Sequence, residues 1–287
     1  MTDWNKVAIV GVGLIGGAVG LGLLRRKLAR QVVGIGRNPA SLRTAKRAGV
    51  VTSTTMSLAR GVADADLVVV CTPVEQIVSR VREAAAACRP GTLITDAGST
   101  KYEIVRELED AAKHDKSWPA GVHFIGSHPL AGNEKRGPQH ASAELFVDRA
   151  VVVTPTPLVR DEDLERVEKF WAGLGSRVVR MSPREHDQVL AVTSHMPHLV
   201  ASAVAAATPK EYVTLTAGGW QDSTRIAAGD PNLWRQIMLA NRGPLLTALA
   251  RFKKSLGALA DALRHEDGAE LEKLLSEAKQ IRDAVGS

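Results

Sequence analysis

The chain has 287 residues, 45% of them hydrophobic and 24% charged, the composition of a soluble globular protein with room for two domains. Its net charge of +6 comes from scattered lysines and arginines, with no dense basic run interleaved with aromatics, so a nucleic-acid partner is not expected. Its two cysteines form no disulfide framework or metal cluster, no signal sequence opens the chain, and no run of about 18 residues is apolar throughout, so a cytoplasmic protein without a membrane partner is expected.

The first half alternates. "KVAIVGVG" reads as a strand ending in glycine, followed by a helix through "AVGLGLLRRKL". "QVVGIGR" is a second strand, "PASLRTAKRAG" a helix closed by Gly49, and "ADLVVVCTP" a third strand stopped by Pro73. "VEQIVSRVREAAAAC" has helical spacing, "TLITDAG" is a fourth strand, and "TKYEIVRELEDAAK" another helix. Continuous apolar strands alternating with helices predict a parallel sheet covered on both faces. "RAVVVTPTP", "DEDLERVEKFWAGLG" and "SRVVRMS" extend that sheet by strand, helix and strand. At Ser182 the character changes. Ser182 as N-cap, Pro183 at the first helical position and Glu185 in a capping box open a region of Ala/Leu-rich helices with no further strand. Asp230-Pro231 starts one of these helices and Gly243-Pro244 interrupts it. The fold class is therefore α/β followed by all-α. Residues 1–182 are expected to form the α/β domain, read below as dinucleotide-binding from its first turn, and residues 183–287 a helical domain whose many apolar positions imply packing against a second subunit.

"VAIVGVGLIGGAVG" places Gly11, Gly13 and Gly16 in a G-x-G-x-x-G pattern between the first strand and its helix, with Leu14 and Ile15 inside the turn. The first glycine permits a tight turn, the second lets backbone approach a pyrophosphate, and the third lets helix pack on strand. About twenty residues on, where an acidic residue would hold a ribose 2′-hydroxyl, stand Gly36 and Arg37. A guanidinium there suits a 2′-phosphate, so NADP is favoured over NAD.

Ligands of such a sheet collect beyond the carboxyl ends of its strands. Thr72 and Pro73 end the third strand and line the cofactor crevice in this reading. Ser99 follows the fourth and has two compatible readings, N-cap of the next helix or ligand contact. The aperiodic "SHPLAGNEKRG" sets His128 at a strand end on the face where a nicotinamide belongs. Removing hydride from an alcohol carbon needs a group that accepts the hydroxyl proton, and histidine is suited to that near neutrality; a purely structural histidine is the alternative. His195 and His198 lie three apart with no third ligand nearby, so no metal is expected. Pro197 between them should kink its helix.

"GVGLIGG", "DLVVVCTPV", "TDAGSTK", "GSHPLAGNEKRG", "MSPREHDQVLAVTSHMPH" and "GWQDSTRIAAGDPNLWRQI" together resemble the prephenate/arogenate dehydrogenase family of tyrosine biosynthesis, from Val7 to about Lys254. The resemblance implies a Rossmann-type domain, a helical dimerisation domain making a homodimer, and an active site in the cleft between domains. There the ring alcohol of prephenate or arogenate is oxidised with loss of CO2. By the same resemblance His128 accepts the hydroxyl proton, Ser99 hydrogen-bonds that hydroxyl, Arg225 holds the substrate carboxylate, and His198 and Trp234 line the pocket. Glu134 is a candidate for choosing between the keto acid and the amino acid, while Lys135 and Arg136 read as solvated charges. A fused chorismate mutase or an ACT regulatory domain is not expected. A two-domain β-hydroxyacid dehydrogenase and a non-catalytic NADP sensor are the competing readings.

Overall fold

Strands that are apolar at consecutive positions need a covering layer on each face, and the fold supplies both. The computed structural model describes residues 4–132, 135 and 137–284. Its strands are β1 (Trp4–Val10), β2 (Ala29–Ile35), β3 (Ser53–Thr55), β4 (Leu67–Val70), β5 (Leu93–Asp96), β6 (His123–Pro129), β7 (Ala150–Thr154) and β8 (Arg177–Arg180). They form one sheet in the order β3-β2-β1-β4-β5-β6-β7-β8. The order reverses between β1 and β4, which opens the crevice where such sheets bind dinucleotides.

The alternation of side chains along β1 divides the core. Val7 and Ile9 face the layer made by α1 (Leu14–Arg25), α2 (Pro39–Arg47) and, further along the sheet, the helix over Asp161–Gly173; Ala8 and Val10 face the other layer. That second layer contains α3 (Leu58–Val62), α4 (Val74–Ala85) and α5 (Tyr102–His114), and the Asp161–Gly173 helix is α6.

The sheet departs from the expected parallel arrangement at one seam. β7 runs antiparallel to β6, pairing His128 with Val152, and β8 is parallel to β7. Among the described residues, the β6–β7 connection contains no crossover helix of the kind a parallel return would require. It carries a 3-10 turn, Pro138–His140, that leans on α1; a Cβ on Gly17 would meet Ala141 Cβ at 3.0 Å.

Ser182 caps α7 (Pro183–Leu190) by accepting from the Glu185 amide at 3.2 Å. A π turn, Ala191–His195, then leads into α8 (Met196–Ala207). The π turn lies just before Pro197, a residue that cannot donate to the helical ladder and that the sequence marks as a place for a kink. The stretch Pro183–Ala207 is long and apolar enough, by length and composition only, to cross a membrane. Its His186, Asp187, His195 and His198 are buried, and His195 and His198 line the second cleft described below.

Next come α9 (Gly218–Thr224), a 3-10 turn at Arg225–Ala228, and α10 (Pro231–Ala240), capped by Asp230 through the Asn232 and Leu233 amides at 2.7 and 3.2 Å. The helix breaks at Asn241, not at Gly243-Pro244, because Pro244 fits the first turn of α11 (Arg242–Arg264), where its amide has no helical partner to lose. α12 (Gly268–Asp283) completes a helical pair. The chain forms two compact units, Met1–Asn241 and Arg242–Ser287, so residues 183–241 belong to the same body as the sheet.

Candidate active site

Gly11, Gly13, Arg37, Thr72 and Pro73 line one cleft of about 710 Å³ beyond β1, β2 and β4. Gly11 has φ +94° and lies against Cys71, where a Cβ would fall 2.8 Å from the carbonyl oxygen. A Cβ on Gly16 would strike the Gly11 carbonyl at 2.3 Å, which is the close packing of helix on strand that the third glycine allows. At Gly13 a Cβ would meet nothing within 4 Å, so backbone faces open space there. α1 begins at Leu14 and Ile15 with no side-chain cap and no acidic residue in its first turn, leaving free amides for an anion. Neither Leu14 nor Ile15 lines the cleft; the Ile15 side chain packs onto the core. Thr72 Oγ1 is buried without a hydrogen-bond partner. These features fit a dinucleotide. Arg37 is exposed beside Asn38, whose side chain caps α2, and Arg80, paired with Glu83 at 2.5 Å, also lines the cleft.

A second cleft of about 750 Å³ gathers Ser99, His128, Lys135, His195, His198, Arg225 and Trp234. Glu134 and Arg136 lie outside the described residues. Lys135, expected as a solvated charge, is exposed and borders this cleft.

His128 is the penultimate residue of β6 and is held from below. The β5–β6 ladder pairs as far as Thr95 and Ile125, and side chains take over beyond it. Ser127 donates its amide to Asp96 Oδ1 (3.0 Å) and its hydroxyl to the Asp96 carbonyl (2.5 Å), while Trp171 Nε1 donates to Ser127 Oγ (3.0 Å). The Asp96 carboxylate also pairs with Lys101, and both side chains are wholly buried. Burial pushes the Lys101 ammonium below its ordinary value, with Asp96 opposing that shift.

Ser99 is not the N-cap of α5. That helix starts at Tyr102, and its orphan amides are taken by a residue of α7: Lys101 and Tyr102 donate to Asp187 Oδ1 and Oδ2 at 2.7 and 2.9 Å. The Ser99 hydroxyl is thus left for the cleft.

Asp187 Oδ1 also lies 2.7 Å from His186 Nδ1, and His186 Nε2 lies 2.8 Å from His128 Nδ1. A carboxylate only accepts, so the His186 proton sits on Nδ1 and its Nε2 accepts from His128 Nδ1–H. That leaves His128 Nε2 as the lone-pair nitrogen. Burial holds His128 well below the usual histidine range, reinforced by His186, Lys101 and His195. Burial lowers His186 too, against the pull of Asp187. Both are neutral near pH 7.

His198 and Trp234 stack with ring centroids 3.6 Å apart and an interplanar angle of 17°. Gly229 admits that stack; a Cβ there would fall 2.5 Å from Trp234 Nε1. His198 Nδ1 is buried without a partner, and burial lowers the ring's pKa. Arg225 is exposed in its 3-10 turn. Sequence reasoning gave no role to His186, Asp187 or Asn241. The first two lie inside the "MSPREHDQVLAVTSHMPH" stretch, but no periodicity marks any of the three, and only the fold brings them to His128 and His195.

A nucleotide cradle at the sheet's switch point, with a neutral strand-end histidine facing an adjoining cleft, defines the class of dinucleotide-dependent oxidoreductases. Residues 19–180 match the family model described as prephenate dehydrogenase, nucleotide-binding domain, and residues 182–277 the one described as prephenate dehydrogenase, dimerization domain. The chain belongs to the prephenate dehydrogenase family. It is 32% identical to prephenate dehydrogenase of Bacillus subtilis over 98% of this chain and 76% of that protein. Against cyclohexadienyl dehydrogenase of Zymomonas mobilis it is also 32% identical, over 99% of this chain and 97% of the relative. The crystal structure of prephenate dehydrogenase from A. aeolicus, in complex with hydroxyphenyl propionate and NAD+, superposes with a TM-score of 0.88 at 31% identity, covering 98% of each chain.

Proposed function

We propose that the protein is an NADP-preferring prephenate dehydrogenase of the cytoplasm, converting prephenate to 4-hydroxyphenylpyruvate and CO2 for tyrosine synthesis. The observation that carries this reading is the Asp187–His186–His128 chain, which presents a neutral imidazole with its Nε2 left for the second cleft.

Gly11, Gly13, Leu14, Ile15 and Gly16 would hold the cofactor pyrophosphate through backbone, Thr72 and Pro73 would line its nicotinamide side, and Arg37 would pair with a 2′-phosphate. When bound, the nicotinamide supplies the hydride acceptor. His128 Nε2 takes the ring hydroxyl proton as the carbinol C–H bond breaks, and Ser99 hydrogen-bonds the same hydroxyl. The bond from ring to carboxylate then breaks, and its electron pair enters the ring, which becomes aromatic. His128 returns the proton to the phenolic oxygen, so no net proton is released. Arg225 forks onto the side-chain carboxylate. His198, held by Trp234, makes the wall beside it. Glu134 is proposed to sense the side chain that distinguishes a keto acid from an amino acid.

We place the boundary between the nucleotide-binding and helical parts at residue 182, where Ser182 caps α7. The helical part is proposed to make a homodimer, which the exposed Leu246, Leu256, Leu263, Leu275 and Ile281 of Arg242–Ser287 support. Steady-state rates with prephenate and arogenate, each with NAD and NADP, test the assignment. The highest kcat/KM is expected for prephenate with NADP, and a clear advantage for arogenate would reassign the substrate.

A further inference from the structure

Asn241 is 1% exposed, and its amide nitrogen contacts two groups. Nδ2 lies 2.7 Å from the Asp187 carbonyl oxygen and 3.0 Å from His195 Nδ1. The carbonyl can only accept, so the atom facing it is the NH2 nitrogen. The second proton of that nitrogen faces His195 Nδ1, which must therefore accept and cannot carry hydrogen. The His195 proton is thereby confined to Nε2.

His195 is also a wall of the second cleft, shared with His128, His198 and Arg225. It stands within electrostatic reach of both neighbouring histidines, and its ring lies edge-on to Trp234 at 6.3 Å. Its Nε2–H makes no hydrogen bond to any described residue. Burial pushes the ring down to about 4, so it stays neutral across the physiological range.

We propose that His195 is a further substrate-binding residue, whose Nε2–H donates a neutral hydrogen bond to the ring carboxylate of the substrate, and that Asn241 is the positioning residue that fixes this tautomer. The proposal rests on the oxidative decarboxylation argued above and divides the two carboxylates of the substrate between two kinds of donor. The side-chain carboxylate survives the reaction, so a permanent cation such as Arg225 suits it. The ring carboxylate leaves as neutral CO2. A cation on it would stabilise the ground state more than the transition state and oppose its loss. A neutral N–H orients the carboxylate with little of that penalty. The lock on Nδ1 and the lowered basicity of the ring keep His195 in this form.

Asparagine at position 195 keeps a polar atom near the place of Nδ1 but loses the cleft donor, whereas glutamine restores an N–H near the place of Nε2. With saturating cofactor, His195→Asn is expected to lower kcat/KM for prephenate about 10–10²-fold, as for loss of a hydrogen bond to a charged group. His195→Gln should recover most of that loss, and the KM for NADP should be unchanged in both. Imidazole 15N NMR of the wild type should show His195, assigned by its absence in His195→Asn, protonated on Nε2 from about pH 5 to 8. In Asn241→Leu a share of Nδ1–H form should appear. An Nδ1–H tautomer in the wild type, or a His195→Asn variant within twofold of wild-type kcat/KM, overturns the inference while leaving the enzyme assignment standing. A wild type with no turnover of prephenate or arogenate sinks that assignment, and the substrate contact with it.

Discussion

His186 Nε2 stands 2.8 Å from His128 Nδ1, so a residue near the end of the sixth strand takes its tautomer from the first helix beyond residue 182. Asp187 anchors the other end of this chain and at the same time closes the N-terminus of α5. One carboxylate therefore sets both the docking of a helix and the direction of a proton.

Replacing His186 with leucine removes the acceptor that keeps the His128 proton on Nδ1. The proton is then free to occupy Nε2, the wrong nitrogen for a base. Turnover should fall about 10²–10⁴-fold, the range seen when a catalytic base is lost or mis-tautomerised. The KM for prephenate should move little. Stopped-flow and steady-state rates check this, and a kcat near wild type would remove His186 from the proton path.

Asp187→Ala should cost stability as well as rate. It strands the Lys101 and Tyr102 amides, which are buried or half-buried at the start of α5. Each unpaired amide costs about 1–3 kcal/mol. Urea unfolding should register a loss of about 2–4 kcal/mol with an unchanged m-value.

The pH dependence follows from the direction of the shifts. His128, His186 and His195 are all lowered in the folded protein. A base with a depressed pKa stays in its working form to lower pH, so kcat/KM should be flat from about pH 6.5 to 8 and decline only on the acid side. Stability moves the same way. Below the ordinary histidine pKa of about 6.5 the unfolded chain binds protons that the folded protein resists, so stability falls as pH falls. Thermal melts between about pH 7 and 5 should show Tm dropping, and His195→Asn should soften that slope.

Arg37→Ala should raise the KM for NADP about tenfold or more and leave that for NAD nearly unchanged, because only the 2′-phosphate is lost as a partner. An unaltered NADP-to-NAD preference would take Arg37 out of the site. Comparing both cofactors at one fixed substrate concentration decides it.

The nucleotide half was readable because its signals are local. Gly11, Gly13 and Gly16 sit between a strand and a helix that periodicity alone places. The antiparallel β7 was not readable, since nothing in "RAVVVTPTP" records the direction in which a strand enters a sheet. Ser99 looked like a cap because it precedes a helical run. The true cap, Asp187, lies 86 residues from Lys101 in sequence, and a contact of that range leaves no local trace. His195 was visible only as half of a His-x-x-His spacing. What fixes its chemistry is Asn241, an ordinary-looking residue at a helix end. His128 was found by its place at a strand end, and its neutral state required the buried surroundings that only the fold supplies.

If the cleft around His128 oxidises a ring alcohol and releases the ring carboxylate, both events must come from one turnover. The most direct measurement follows reduced nicotinamide and CO2 together from prephenate and NADP, in wild type and His128→Ala, with NADP affinity measured separately. Equal amounts of the two products, a rate lowered about 10²–10⁴-fold in the variant and unchanged NADP binding are expected. Wild-type protein that binds NADP yet forms neither product from prephenate or arogenate, or a variant that keeps near-full turnover, would contradict this reading of the cleft.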